Sequence, residues 1–435
     1  MGAFDKVIGY EPVKRKLERT ADVLANPEGY AALGVHAPHA MLLYGEPGVG
    51  KTLMARCLIE ASGRESVVCR KDEPNGEFVK VIKKKFKEAE EKAPSILLLD
   101  DLDKFANEDN QHRDAEEYVT VQSCLDELAR SGAEVFVLAT ANDVDRLPRS
   151  LVRSGRLGNK IEVECPTGAD AEAILSHYLS GKRVVDNIDP AFLARVMGGH
   201  SCAALEEVVN EAGLLAGYDR SETITAEHFM RAMLQSVHGV PEIGKAGGCE
   251  EDPSQRLERE HTAAHEAGHV VVSEVLDPGS VTLSTIYSRP HGMTSGFTLS
   301  QLAAGSDAMH KLQIRVLTAL GGKAALEQRF GVVDRGAESD LDDAFEQVKG
   351  LVGDACSCGF NLYSYRYNNS EELKARIEQA AASEIERYYR KAKEILSLNA
   401  DFLEAITGAL LEKELVTMAD IAEIEEGCDI VPFSI

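Results

Sequence analysis

Two short stretches carry most of the chemistry available to this chain. His265-Glu266-Ala267-Gly268-His269 sets two imidazoles four residues apart around a carboxylate. On a helix, residues four apart share one face, so both rings can converge on a single ion. Zinc accepts neutral imidazole at about 2 Å and keeps a position for water when three protein side chains hold it. Glu266 then stands beside that water as a general base, the mechanics of the H-E-x-x-H pattern of zinc hydrolases. Far upstream, Gly45-Glu46-Pro47-Gly48-Val49-Gly50-Lys51-Thr52, with Leu53 behind it, fits G-x-x-x-x-G-K-[ST] and forms a nucleotide-binding set. Its glycines let backbone N–H groups wrap phosphate oxygens. Lys51 reaches the β- and γ-phosphates, and the Thr52 hydroxyl ligates Mg²⁺.

Both stretches need elements to hold them. Ser254 to Leu276 reads as one helix, with Asp252-Pro253 supplying an N-cap and a first-turn proline and Asp277-Pro278-Gly279 closing it. Gly268 inside that helix costs about 1 kcal/mol against alanine, so something other than helicity favours it, such as close approach near the metal. Met41 to Tyr44 is a buried-strand candidate running straight into the glycine-rich loop. The apolar run from Pro94 ends in Asp100 and Asp101, which suits Asp100 on Mg²⁺ and Asp101 towards the attacking water. A third strand, Glu134 to Asn142, ends in a polar side chain able to orient that water. Arg153 and Arg156, three apart in a loop, suit transition-state charge on phosphate.

The alternation of helical and strand patterns over residues 1–165 argues for a parallel α/β sheet, and residues 166–240 read as a small helical lid. Pro241, Gly244, Gly247, Gly248 and Pro253 mark a linker over 241–253. Residues 254–435 form a mostly α-helical third segment. Its exception is Ser280 to Ser300, where Val281 to Tyr287 alternates like a strand and Gly292 to Thr298 is its candidate partner. Leu373, Ile377, Ile385, Tyr389 and Ala392 recur at helical spacing and, with Phe402 to Leu415, make a C-terminal bundle.

The third metal ligand stays open at this level. No acid occurs between Asp277 and Asp307, and positions 272 and 275 are valine, which removes two common zinc-ligand arrangements. His261 shares the face of the other two histidines, but it lies about 12 Å from His269 along the axis and is a neighbour only. Asp307, Glu327, Asp334, Glu338, Asp340 and the acids after it remain.

Composition bounds the rest. A net charge of −25 disfavours nucleic-acid partners and anionic lipid. Lys83-Lys84-Lys85 reads as a solvated helix face. Nine scattered cysteines suit a reducing compartment, and Cys356 with Cys358 read as ordinary thiols. No run approaches the ~18 to 20 apolar residues of a membrane span, so a cytoplasmic protein is expected.

From about Phe4 to about Ile424 the chain resembles the FtsH family of ATP-dependent zinc metalloproteases. Gly45 to Thr52, Asp100-Asp101, Asn142, and Arg153 with Arg156 look like Walker A, Walker B, sensor 1 and the paired arginine fingers of an AAA ATPase. Gly198-Gly199-His200-Ser201-Cys202-Ala203-Ala204-Leu205 and Asn210-Glu211-Ala212 resemble that family's lid. The resemblance implies an α/β AAA P-loop domain with a helical lid, then a zinc metallopeptidase domain. It also implies Zn²⁺ and ATP with Mg²⁺ as cofactors, protein or peptide substrates, and a homo-hexameric ring whose fingers act on a neighbour's nucleotide. Gly336-Ala337-Glu338-Ser339-Asp340-Leu341 looks like the family's turn bearing an aspartate ligand, which implies Asp340 as the third. Leu320 to Ala325 matches the helix ahead of that turn, with Glu327 structural or behind the ligands. An edge strand receiving extended substrate is carried over from the family to Ser280–Ser300.

The match departs in three places. Relatives carry N-terminal membrane helices, whereas this sequence begins at the ATPase; were Met1 the natural start, work in the cytosol or recruitment by a partner would be expected. Asp101 stands where the family has glutamate, one methylene longer, so slow hydrolysis is expected. The family's pore loop carries a gripping aromatic; the matching region is Lys71 to Val79, and there Phe78, Ile82 and Phe86 read as one core-facing helix stripe. Two alternatives accompany the protease reading. One is a remodelling ATPase with a vestigial zinc site, the other a peptidase for short substrates that needs no threading.

Overall fold

Three apolar runs, Ala40–Tyr44, Ser95–Asp100 and Val135–Ala141, form the buried centre of a five-stranded parallel sheet whose outer strands are partly exposed. In this computed structural model the described residues are 2–34, 38–72, 77–106, 115–153, 155–185, 188–237, 239–240, 252–287, 296–301, 308–331, 338–353 and 370–435. They fall into two compact units, Met1–Ala232 and Met233–Ile435.

In the first unit, helices α1 (Glu11–Ala25) and α2 (Pro27–Ala31) precede strand β1 (Ala40–Tyr44). There follow α3 (Lys51–Ser62), β2 (Glu65–Arg70), α4 (Phe78–Glu91), β3 (Ser95–Asp100), α5 (Ala115–Ser131), β4 (Val135–Ala141) and β5 (Lys160–Glu162). The strand order is β2-β3-β4-β1-β5, all neighbours parallel. β3 and β4 are buried along their whole length, as continuous apolar runs in a covered sheet should be. Since β3, β4 and β1 are adjacent and point the same way, their C-terminal ends bring Asp100, Asn142 and the glycine-rich loop to one crevice. Four helices complete the unit: α6 (Gly168–Leu179), α7 (Pro190–Val196), α8 (Cys202–Tyr218) and α9 (Ala226–Ser236), the last running into the second unit. Ser201 caps α8, accepting from the Ala204 N–H at 3.3 Å.

Phe78, Ile82 and Phe86 are buried on one face of α4, and Phe78 packs edge-on against Phe105 with ring centroids 5.1 Å apart. The core-facing stripe is therefore present, and Phe78 is not exposed for gripping a polypeptide. Residues 73–76 of the pore-loop region lie outside the described residues. Lys83 and Lys84 are exposed and Lys85 pairs with Glu88 at 3.0 Å, a solvated face.

The second unit is built around α10 (Pro253–Leu276). Asp252 caps it, and Gln255 returns a bond to the Asp252 N–H at 3.3 Å. From Ala263 to Val275 nearly every residue is buried, so the histidines sit on a core helix. β6 (Val281–Thr285) and β7 (Phe297–Ser300) pair antiparallel, with Ser284 opposite Thr298. Helices α11 (Ala308–Phe330), α12 (Glu338–Gly353), α13 (Glu371–Leu398) and α14 (Ala400–Lys413), strand β8 (Leu415–Thr417) and helix α15 (Met418–Glu426) follow. Ile377, Ala392, Phe402 and Leu410 join the α10 core. Leu415, expected at the end of a helix, instead opens β8, which pairs with β6. The sheet order β7-β6-β8 makes β6 the central strand, so any free edge belongs to β7 or β8. The expected partner segment begins later than its sequence suggested, at Phe297; residues 288–295 lie outside the described residues, as do Asp334, Cys356, Cys358, the linker over 241–251 and Asp307.

Candidate functional site

The peptidase-like site depends on how closely α10 and α11 approach. A Cβ built on Gly268 would lie 2.4 Å from the Gly321 carbonyl oxygen, and one on Gly321 would lie 2.6 Å from that of Gly268. Only glycine at both positions lets the two backbones touch. One residue on, a Cβ at Gly322 would lie 2.6 Å from the His265 ring. The crossing also presents the Thr318 carbonyl to His269 Nδ1 at 2.7 Å. A carbonyl can only accept, so Nδ1 carries a proton, and the neutral ring would present its Nε2 lone pair to the site.

Asp340 arrives from the first turn of α12. Its Oδ2 stands 3.0 Å from His265 Nε2 and 3.3 Å from His269 Nε2, while the two Nε2 atoms are 3.0 Å apart. Among the described residues this trio is the one cluster of metal-ligating side chains, one donor atom from each lying within 4.8 Å of the others. Donors about 2.0–2.1 Å from a tetrahedral zinc stand about 3.3 Å from one another, so three separations near 3 Å form one face of such a tetrahedron. Of the open acids, Glu327 turns away, bonding Tyr389 and Lys393 at 2.8 Å on α13, and Glu338 is exposed. His261 packs against Phe330.

Electrostatics follow from burial. Burial alone would lower the His269 pKa, but Asp340, with help from Glu266 and the Thr318 carbonyl, raises it to about 9. Burial works to raise Asp340, and hydrogen bonds from the two imidazoles outweigh it, holding the carboxyl well below its ordinary range. Burial pushes the Glu266 carboxyl up against the pull of His269 and His265. Glu266 Oε2 accepts a hydrogen bond from Thr298 Oγ1 at 2.8 Å. At the far end of α10, buried Glu274 accepts from the N–H of Val281 at 2.7 Å and also from Gly279, which closes the turn into β6.

In the first unit the glycine-rich loop runs from the end of β1 into α3, with Gly50 at φ +97° as the N-cap. Lys51 is buried, and its ammonium donates to the carbonyls of Gly45 and Glu46, both at 2.7 Å. Burial lowers its pKa, opposed by Asp101, Asp103 and Asp100. Thr52 donates to Asp100 Oδ1 at 3.1 Å, which brings together the two groups expected on Mg²⁺. The loop also meets α8: the Ala203 N–H donates to the Gly48 carbonyl at 3.1 Å, and a Cβ on Gly48 would lie 2.7 Å from that of Ala203. Leu53 is exposed.

Asp101 has a left-handed backbone at φ +56° and pairs with Lys104 at 2.7 Å and Arg70 at 3.6 Å. The Asn142 N–H donates to Asp103 Oδ1 at 3.1 Å, which sets the end of β4 beside the acidic turn. Arg153 is exposed. Arg156 is not; it grips Asp126 through Nε and Nη2 at 2.8 and 2.7 Å and the Ser150 carbonyl through Nη1 at 2.6 Å. Of the two arginines expected as fingers, Arg153 is exposed and the Arg156 fork is bonded within its own chain.

Several participants carried no motif. Thr140 donates to Asp100 Oδ1 at 2.9 Å and accepts from the Asp101 N–H at 2.9 Å. Its position two residues before Asn142, on a strand adjacent to β3, was the available signal. Asp126, Thr298 and the Thr318 carbonyl reach their partners only through tertiary contacts, and no local pattern marks them.

Comparison with known proteins bears on both units. A model described as "ATPase family associated with various cellular activities (AAA)" matches residues 41–165, and one described as "Peptidase family M41" matches residues 254–424. The chain is similar to ATP-dependent zinc metalloprotease FtsH 2 of Symbiobacterium thermophilum, 31% identical over 97% of this chain and 74% of that protein. FtsH of Pelobacter propionicus is 30% identical, covering 97% and 71%. FtsH of Ureaplasma parvum is 29% identical, covering 97% of this chain and 60% of its own length.

Proposed function

The chain belongs to the FtsH family of ATP-dependent zinc metalloproteases, and from that premise we propose that its two units serve one reaction, the ATP-driven degradation of polypeptide. The observation that carries this reading is the convergence of His265, His269 and Asp340 beside Glu266. These three side chains would hold Zn²⁺, with Asp340 as the carboxylate ligand. When bound, the ion supplies Lewis acidity, polarising the scissile carbonyl and making water more acidic. Glu266 takes the proton from water as its oxygen attacks and delivers that proton to the leaving amine. The Thr318 carbonyl keeps His269 in the tautomer that can ligate. β7 offers a strand edge to extended substrate, a role supported by the contact of Thr298, on that strand, with Glu266.

ATP with Mg²⁺ is the fuel. Backbone N–H groups of the Gly45–Leu53 loop other than Pro47 would bind its phosphates, Lys51 would neutralise them, and Thr52 with Asp100 would hold Mg²⁺. Asp101 and Asn142 align the attacking water. Asp101 is drawn towards Lys104 and is shorter than glutamate, so turnover is slow. Arg153 completes the nucleotide site of a neighbouring protomer, which requires a ring, and we propose a homo-hexamer. No described helix is long and apolar enough to cross a membrane. The six described cysteines are all free thiols, which supports a cytoplasmic setting.

Degradation of an unfolded casein-type protein, run with ATP, with ADP and with a chelator, tests the proposal. Cleavage requires both ATP and zinc, and Glu266→Gln abolishes cleavage while sparing ATPase activity. Chelator-sensitive cleavage indifferent to nucleotide would replace this reading with a peptidase for short substrates. ATPase activity without any cleavage would leave a remodelling ATPase.

A further inference from the structure

Glu266 has two carboxylate oxygens, and their surroundings differ. Oε2 accepts the Thr298 hydroxyl at 2.8 Å, and the same hydroxyl lies 3.4 Å from the Glu266 carbonyl. Thr298 Oγ1 also lies 2.8 Å from Ser284 Oγ, its cross-strand neighbour on β6. A hydroxyl has one proton to give, and an ionised carboxylate can only accept. Thr298 therefore donates to Glu266, and the buried Ser284 hydroxyl donates to Thr298. For the ionised Glu266 that a general base requires, the order runs Ser284 to Thr298 to Glu266.

The other oxygen, Oε1, faces Gly296. A Cβ at that position would lie 2.9 Å from Oε1 and equally close to Thr262 Cγ2 and the Thr285 carbonyl. Glycine thus leaves Oε1 uncovered by a side chain at that point, while Thr298 occupies its twin.

We propose that Thr298 is a positioning residue for peptide hydrolysis: its hydroxyl pins Glu266 through Oε2, so that Oε1 is the atom that takes and returns the proton. The inference rests on Glu266 being the general base. The proton balance is simple. Water gives a proton to Oε1 as its oxygen bonds to the carbonyl carbon, and Oε1 passes that proton to the amine nitrogen as the C–N bond breaks. Because Thr298 belongs to the strand proposed to receive substrate, the same few atoms set the orientation of the base and the height of the substrate edge.

The test uses the full chain loaded with zinc and a short fluorogenic peptide. Thr298→Val keeps the shape and removes the donor; Thr298→Ser restores the donor. We expect Thr298→Val to lower kcat about tenfold, a typical cost for loosening a positioned proton acceptor, with KM within about twofold. Thr298→Ser should stay within about twofold of the parent. ATPase rate, zinc per chain and amide exchange of residues 297–300 should be unchanged in both. Undiminished kcat in Thr298→Val, or a serine variant as slow as the valine one, overturns the proposal. So does a kcat loss accompanied by faster exchange in β7, which would mark a structural role. Glu266→Gln run alongside separates the two levels. If it still cleaves, the base assignment itself is wrong; if it is inactive while Thr298→Val is unimpaired, only the role of Thr298 falls.

Discussion

His269 and Asp340 attract one another strongly enough that protein stripped of metal should keep the imidazole protonated well above its ordinary range, to about 9. Zinc needs the neutral ring, so binding must release that proton. The sign follows directly. Below pH 9 the proton competes with the metal, and apparent zinc affinity should rise about tenfold per pH unit until the proton is gone. Competition against a chelator at pH 6.5, 7.5 and 8.5 reads this slope, and a flat profile would remove the coupling. The slope should flatten between pH 7.5 and 8.5 in Asp340→Asn, because the carboxylate that raises His269 most is then neutral, although the affinity itself drops.

At the scale of elements, the site exists because two helices cross with no side chain between them. Gly321→Ala would drive a methyl group into the Gly268 carbonyl, a contact that only backbone movement can relieve. Overpacking of this kind costs about 1 to 3 kcal/mol. We expect a lower melting temperature for the second unit together with reduced zinc content, since the displaced α11 carries the Thr318 carbonyl away from His269. Gly408→Ala, on α14 with an ordinary helical backbone and nothing near its added Cβ, is a control for zinc content. In the first unit, Phe78 belongs to the core of α4. Phe78→Ala should destabilise that unit by about 3 to 5 kcal/mol, read as a lower thermal or denaturant midpoint. A variant of parental stability that fails only in degrading folded substrates would instead assign Phe78 to substrate grip.

At the scale of the whole molecule, the two arginines of the 153–156 loop should separate. Arg153→Ala is expected to leave nucleotide binding and melting temperature unchanged and to lower ATP turnover about 10³-fold, the low end of the span known for arginine fingers. Arg156→Ala loses charge-assisted hydrogen bonds to Asp126 and should destabilise the first unit by roughly 1.5 to 3 kcal/mol, with any loss of turnover following from that. Mixing Arg153→Ala protomers with Lys51→Ala protomers checks the ring. Turnover partly recovered in the mixture places the finger in trans, and none recovered argues for a site complete within one chain.

Local chemistry was legible in the order of residues alone. The glycine-rich loop, the acid-ended strand, the HEAGH helix and its cap each depend on neighbours a few positions away, and contiguous spacing encodes such features directly. Even the core stripe of Phe78, Ile82 and Phe86 could be read this way, because helical periodicity is local. What only the tertiary structure decided lies at long separations. Asp340 reaches His265 across 75 residues, Arg156 reaches Asp126 across 30, and Thr298 reaches Glu266 across 32. The position of β6 in the middle of its sheet likewise depends on β8, more than a hundred residues later. Spacing along a chain says which side chains can share a helix face, but which strand pairs with which, and which carboxylate turns towards a histidine, is set by how the packed elements exclude one another.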